Sequence, residues 1–261
     1  MRSNYFDEKI SEFSRFMGRH LIVTWFLVLF LVTGAQDIQL SRISASHVII
    51  YYPGKVGVAV ATAYASTLDT ICTADIGHFK VEMERKLNVR LCRDALEFSF
   101  VTGADSSFSP LWKDGTLCIT VGNDLSEPRF RSALGAGIIE GILGRLRSNG
   151  APRWLIYSAA AYESGEHRSY TPPPIESIRY FSDLDEQIES ATSKSGLDDL
   201  NFYLGNTGKF CDAEFGKGSL VRLVPEFTYS NTFDSAVRHL FHQSAGSVQS
   251  EWHRFLQSLV R

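Results

Sequence analysis

Three short, mostly apolar runs mark the first half of the chain. They lie at 47–52 (HVIIYY), 89–92 and 117–121 (LCITV), and turn pairs such as Pro53-Gly54 and Asp114-Gly115 bound them. Each run therefore predicts a strand. Between the first two, the Ala-, Val- and Leu-rich stretch 56–74 contains no proline and predicts a long buried helix.

From Pro128 onward the apolar positions follow a helical spacing. A stripe with i, i+4, i+5 and i+8 spacing predicts one helix up to Ser148-Asn149-Gly150, and Pro152 opens a second at 154–162. An extended loop (YTPPP) follows at 170–174, and helical patterns alternate with glycine stops from Ile175. The chain is therefore predicted to be α+β. A small mixed sheet with long helices occupies about 45–165, and an all-helical part occupies about 175–261.

The N-terminus carries a distinct apolar run, Leu21–Val32, without a charged residue. A helix of this length covers roughly 18 Å, short of the ~30 Å hydrocarbon core. Arg19 precedes the run, and small residues follow up to Ala35, as in a signal peptide. Residues 1–35 are therefore predicted to be a cleaved signal peptide or an anchor through 21–35, with a buried core helix as the alternative. A start at Met17 would give a compact basic leader.

The charge balance argues against nucleic acid as a partner, and the cysteine spacing argues against a cysteine-based metal or redox motif. Lys plus Arg number 26 against 29 Asp plus Glu, a net charge of −3, so the chain lacks the basic excess of nucleic-acid-binding proteins. No CxxC or Cys/His spacing occurs, which argues against a zinc knuckle or a thioredoxin-type motif. Disulfides and buried free thiols both remain open for the four cysteines, Cys72, Cys92, Cys118 and Cys211.

The order of these elements resembles a known family. The segments that carry the resemblance are HVIIYYPG at 47–54, a long helix, two further strands, APRWL at 151–155 leading into a small-residue helix, and FGKGSL at 215–220. Phe233-Asp234 and Glu251-Trp252 follow near the end. Over about 45–258 the chain is similar to the peptidase MA-like family of gluzincin metallopeptidases, which implies a gluzincin-like fold.

In that family the helix before the P-x-W-L turn carries HExxH, whose two histidines bind zinc while the glutamate activates water. A glutamate of the next helix is the third ligand. The resemblance places these four residues at Ala136, Gly137, Glu140 and Tyr157, and none of them is retained. It therefore implies the fold without a zinc site and without catalytic residues.

The same helix carries a face of small residues around one carboxylate, comprising Ala136, Gly137, Glu140, Gly141 and Gly144. Each interior glycine costs a helix about 1 kcal/mol relative to alanine, so the glycines need a reason. One reason is close backbone packing against another element, and the other is an open cleft where a zinc site used to be. The two are compatible.

Two further groups of polar residues have side chains suited to metal or acid/base chemistry. Glu163, Glu166 and His167 follow the second helix and could gather with Glu140 for metal or acid/base chemistry, or lie in a solvated loop. His239 and His242 lie one turn apart, with spacing for a metal pair or for exposed helix-face histidines.

These observations predict an exported, catalytically inactive metallopeptidase-like protein without cofactor or metal. It would bind a protein or peptide partner in the cell envelope, or serve a structural role there. The expected cleft residues are Glu140, Trp154, Tyr157, Tyr162, Glu163 and His167. The alternative is a metallohydrolase or peptidase with a relocated site built on Glu140, Glu163 and His167.

The export prediction can be tested with a topology reporter. A reporter that is active only outside the cytoplasm, fused after residue 60, should be active because the layout from Arg19 to Ala35 directs export. Activity should be compared with the same fusion lacking residues 21–32. An inactive full fusion would instead make this segment a core helix.

Overall fold

The computed structural model describes residues 39–165, 178, 180–190, 194–229 and 231–259. The predicted signal segment 1–35, the extended loop 170–174, Glu166 and His167 lie outside the described residues. The described residues from Ser41 onward form one compact unit. Within the ranges given above, none of the helices has the length and apolarity needed to cross a membrane.

A five-stranded mixed sheet occupies the first half of the chain. Its strands are β1 (Leu40–Ser44), β2 (Val48–Pro53), β3 (Leu87–Cys92), β4 (Leu111–Lys113) and β5 (Thr116–Thr120). They lie in the order β1-β2-β3-β5-β4. The central pairs β2/β3 and β3/β5 are parallel, and β4 is antiparallel to β5. In this register Ile50 lies opposite Val89, and Val89 lies opposite Leu117.

One face of the sheet forms the main core. Successive side chains of a strand point to opposite faces of the sheet. Ile50, Val89 and Leu117, one from each of the three central strands, are fully buried on the face that forms this core. Helix α1 (Val58–Phe79) packs on β2, and it also packs on α3 (Pro128–Leu143), which contacts α4 (Arg153–Glu163). These helices place the candidate site residues beside the sheet.

The other face of the sheet is covered by α2 (Ala95–Thr102). Phe98 of this helix packs against Cys92 and Cys118, and the Asp94 side chain caps the helix by accepting from Glu97 N at 2.9 Å. All four cysteines are buried and free. Of the two possibilities that the sequence left open, disulfides and buried free thiols, the structure therefore shows the second.

The described residues of the C-terminal half form helices and the short turns between them. Helix α6 (Lys194–Phe215) packs along α4, and the buried Trp252 Nε1 donates to Thr207 Oγ1 at 3.0 Å. This half and the mixed sheet confirm the predicted α+β class. The helices are α5 (Phe181–Ser190), α6 (Lys194–Phe215), α7 (Ser219–Leu223), α8 (Phe233–Phe241) and α9 (Ala245–Ser258).

Candidate functional site

A cleft of about 620 Å³ lies beside the amino-terminal ends of β3 and β5. Leu87 and Gly115, at the beginning of these strands, form one side together with Trp112 of β4. The C-terminal half of α3 contributes Glu140, and α4 contributes Tyr157. The cleft therefore lies where the edge of the sheet, α3 and α4 meet.

Glu140 and Tyr157 lie close together in this cleft. The Glu140 carboxylate raises the pKa of the Tyr157 phenol, and burial raises it further, whereas Arg153 and Arg147 lower it. The phenol is consequently protonated at neutral pH and can donate a hydrogen bond. Two of the four positions that the resemblance assigns to metal ligands and base thus lie at one place, with a carboxylate and a phenol in place of the ligands.

The other two positions, Ala136 and Gly137, are buried and do not line the cleft. The carbonyl oxygen of Gly137 accepts a hydrogen bond from Trp112 Nε1 at 2.7 Å. A Cβ at Gly137 would lie 3.0 Å from Leu117 Cδ1, which is tighter than an ordinary contact. This glycine therefore allows close packing of α3 on the sheet.

The other two glycines of this face, Gly141 and Gly144, have different roles, one in close packing and the other in keeping the cleft open. A Cβ at Gly141 would overlap the Trp112 ring, so this glycine also serves close packing. Gly144 lines the cleft, and a Cβ there would meet nothing within 4 Å. Close packing and an open cleft are both present, at different turns of the same segment.

Trp154 and Tyr162 belong to helix packing and are not among the residues that line the cleft. Trp154 is 3% exposed and stacks on Phe181, with ring centroids 4.1 Å apart. Tyr162 packs over Gly208 of α6, and its hydroxyl donates to Asp212 Oδ2 at 2.9 Å. Both side chains fix α4 against the C-terminal helices.

The Glu163 side chain contacts α1. It is not among the residues that line the cleft, to which Glu140 belongs. Its Oε2 is 3.0 Å from His78 Nε2. The predicted set of Glu140, Glu163 and His167 is therefore not assembled among the described residues, to which His167 does not belong.

Asp75, one turn before His78, completes a group of titratable side chains that the sequence did not reveal. Its Oδ2 is buried and has no hydrogen-bond partner among the described residues. Burial raises the pKa of Asp75 to about 7; His78 acts to lower it, and Glu163 acts to raise it. Asp75 and His78 are three residues apart on α1, a spacing that the sequence does show. Glu163, the third member of the group, comes from α4, and no local pattern links it to them.

The two C-terminal histidines do not form a metal pair. His239 Nδ1 lies 2.9 Å from Glu226 Oε2, and His242 ends α8 in a left-handed conformation with φ 58°. Within the part of the chain that the structure describes, no group of three or more His, Cys, Asp or Glu side chains is arranged to hold a metal ion.

No family model, curated protein or solved structure matches the chain. The resemblance to gluzincin peptidases therefore stays a prediction, carried by the segments quoted above.

The close packing at Gly141 gives a stability prediction. We expect Gly141→Ala to destabilise the protein because overpacking costs about 1–3 kcal/mol, more than the ~1 kcal/mol of helix propensity that alanine adds. The free energy of unfolding, measured in urea, reports the loss. Gly144→Ala is the matched control, since its backbone is helical (φ −55°, ψ −30°) and its Cβ site is open. It should stabilise by about 0.4–1 kcal/mol. Equal effects at the two positions would contradict the packing argument.

The buried Asp75 gives a pH prediction. Because its pKa is raised in the folded protein, its ionisation costs stability progressively as the pH rises from about 4 to about 7. Asp75→Asn should therefore become more stable relative to the unmutated protein over this window. We expect about 1–2 kcal/mol above pH 7, less than ~1.4 kcal/mol per pKa unit would give, because the side chain is partly solvated.

Urea unfolding at several pH values measures this difference. Glu163→Gln should move the window for Asp75 to lower pH, and His78→Gln should move it to higher pH, since these neighbours act in opposite directions. A stability difference that does not change with pH would refute the prediction.

Proposed function

We propose that the protein is an exported or membrane-anchored, catalytically inactive relative of the gluzincin peptidases. Its cleft would hold an extended polypeptide segment of a protein or peptide partner in the cell envelope. The observation that carries this proposal is the meeting of Glu140 and Tyr157 in one cleft beside the edge of the sheet.

The walls of the cleft suit a polypeptide. Trp112, Ile142 and Ile156 provide apolar surface, the Tyr157 phenol can donate a hydrogen bond, and Glu140 can accept one. Strand β4, which carries Trp112, is the last strand of the sheet. An extended segment can add to such an edge through backbone hydrogen bonds while its alternate side chains enter the cleft.

The residue types argue for binding without cleavage. A catalytic zinc ion needs three protein ligands and an open position for water. At the positions that the resemblance assigns to ligands and base, Ala136 and Gly137 carry no donor group, and Glu140 offers a single carboxylate. The export part of the proposal is supported by the layout around Leu21–Val32, through which the chain would reach or attach to the membrane.

The proposal can be tested with the full-length chain purified in a mild detergent. The probe is a short fluorescein-labelled peptide that alternates Leu with Gln, and binding is followed by fluorescence anisotropy. Gly144→Trp should fill the cleft and weaken binding about tenfold or more, a change that anisotropy resolves easily. Gly77→Trp is the control, because Gly77 is also a helical glycine with open space but lies outside the cleft.

Two outcomes would contradict the proposal. Equal binding to both variants would show that the peptide does not use the cleft. Cleavage of the peptide, detected by mass spectrometry and lost in Glu140→Gln, would favour the alternative of a hydrolase with a relocated site.

A further inference from the structure

The charge of the cleft differs in sign from that of the whole chain. The chain has a net charge of −3. The residues that line the cleft include four cations and two carboxylates, an excess of two positive charges. The cations are Arg85, Lys86, Arg145 and Arg147, and the carboxylates are Glu84 and Glu140.

The basic side chains come from two segments on adjacent sides of the cleft, the loop before β3 and the turn after α3. The two segments are joined by Arg145 Nη1 and Glu84 Oε1 at 3.7 Å, but Glu84 is 83% exposed, so this ion pair is weak. Lys86 Nζ donates to Ser44 Oγ at 3.0 Å and to Ala45 O at 2.6 Å. These acceptors are neutral and do not cancel the charge of the ammonium group, but they hold it toward β1, on the side of the sheet opposite β4. The arginines therefore bring the basic charge closest to Trp112 and Tyr157.

Arg147 acts at the Tyr157 end of the cleft. Glu140 and burial raise the pKa of Tyr157, and the charge of Arg147, which lines the cleft with this phenol, acts in the opposite direction. Arg147 thereby offsets Glu140, whose charge acts on the same phenol. Of the two carboxylates, Glu84 is paired only weakly with Arg145, and Arg147 acts against Glu140 at the Tyr157 phenol. The cations of the lining still outnumber the carboxylates by two.

We propose that the cleft selects acidic polypeptide segments, in which carboxylate side chains alternate with apolar ones. This inference rests on the proposed function. The apolar surface of Trp112, Ile142 and Ile156 accepts the apolar side chains, and the basic rim attracts the carboxylates and repels basic segments. The apolar walls favour a peptide over a phosphate-bearing ligand, which would gain nothing from them.

The test uses three labelled peptides of equal length in which Leu alternates with Glu, Gln or Lys. The full-length chain should bind the Glu peptide about tenfold more tightly than the Gln peptide, and the Lys peptide least tightly. Raising the ionic strength should reduce the ratio between the Glu and Gln peptides, because salt screens exposed charges.

A pair of charge-reversal variants locates the effect. Arg147→Glu should reduce the ratio between the Glu and Gln peptides by about tenfold. Arg131→Glu changes the net charge equally, at an exposed position of α3 outside the cleft, and should leave the ratio unchanged. Equal loss of the ratio in both variants would attribute the preference to net charge and overturn the proposal.

The remaining outcomes separate this inference from the proposed function. If the three peptides bind with equal affinity and Gly144→Trp weakens all of them, the acidic preference is wrong and the polypeptide cleft stands. If binding of every peptide is insensitive to Gly144→Trp, both are wrong. If inorganic phosphate displaces the Glu peptide at concentrations that leave the Gln peptide bound, an anion alone suffices and the preference for a polypeptide carboxylate is overturned.

Discussion

The contact between Trp112 and the glycines of α3 determines how the sheet and the helices meet. The indole packs on Gly141, and its Nε1 donates to the carbonyl oxygen of Gly137, one turn earlier. A larger residue at either position would push α3 away from β4 and β5, since interiors are packed too densely to absorb an extra methyl group. This close approach of α3 to the sheet fixes the wall of the cleft. It also fixes the position of Glu140 and how near α4 lies to it.

The fold was predictable where each segment carries its own pattern. The central strands β2 and β5 contain continuous apolar stretches, and β3 keeps its apolar residues on alternate positions around Asn88 and Arg90. All three appear within two residues of their predicted bounds. The edge strands were missed because β1 has the mixed sequence LSRIS and β4 has three residues. Such strands form because a neighbouring strand offers hydrogen bonds, a partner that no local pattern reveals.

The site was predictable only in part, for a related reason. The resemblance placed Glu140 and Tyr157 together, and both line the cleft. Trp154, Tyr162 and Glu163 were expected there as well, but they lie on faces of α4 that meet other helices. A helical pattern shows which residues share a face, but not which neighbour that face meets. His78 and Glu163 are separated by 85 residues, so their contact follows only from the tertiary structure.

The four buried thiols have a consequence for how the chain matures. Burial raises the pKa of Cys72, Cys92 and Cys211 to about 12 and that of Cys118 as well, so little thiolate is present to attack a disulfide or an oxidant. The folded chain then contains no disulfide for an oxidoreductase to form or break, and its thiols react slowly in a reducing and in an oxidising compartment alike. Passage from one compartment to the other during biogenesis would leave the folded domain chemically unchanged.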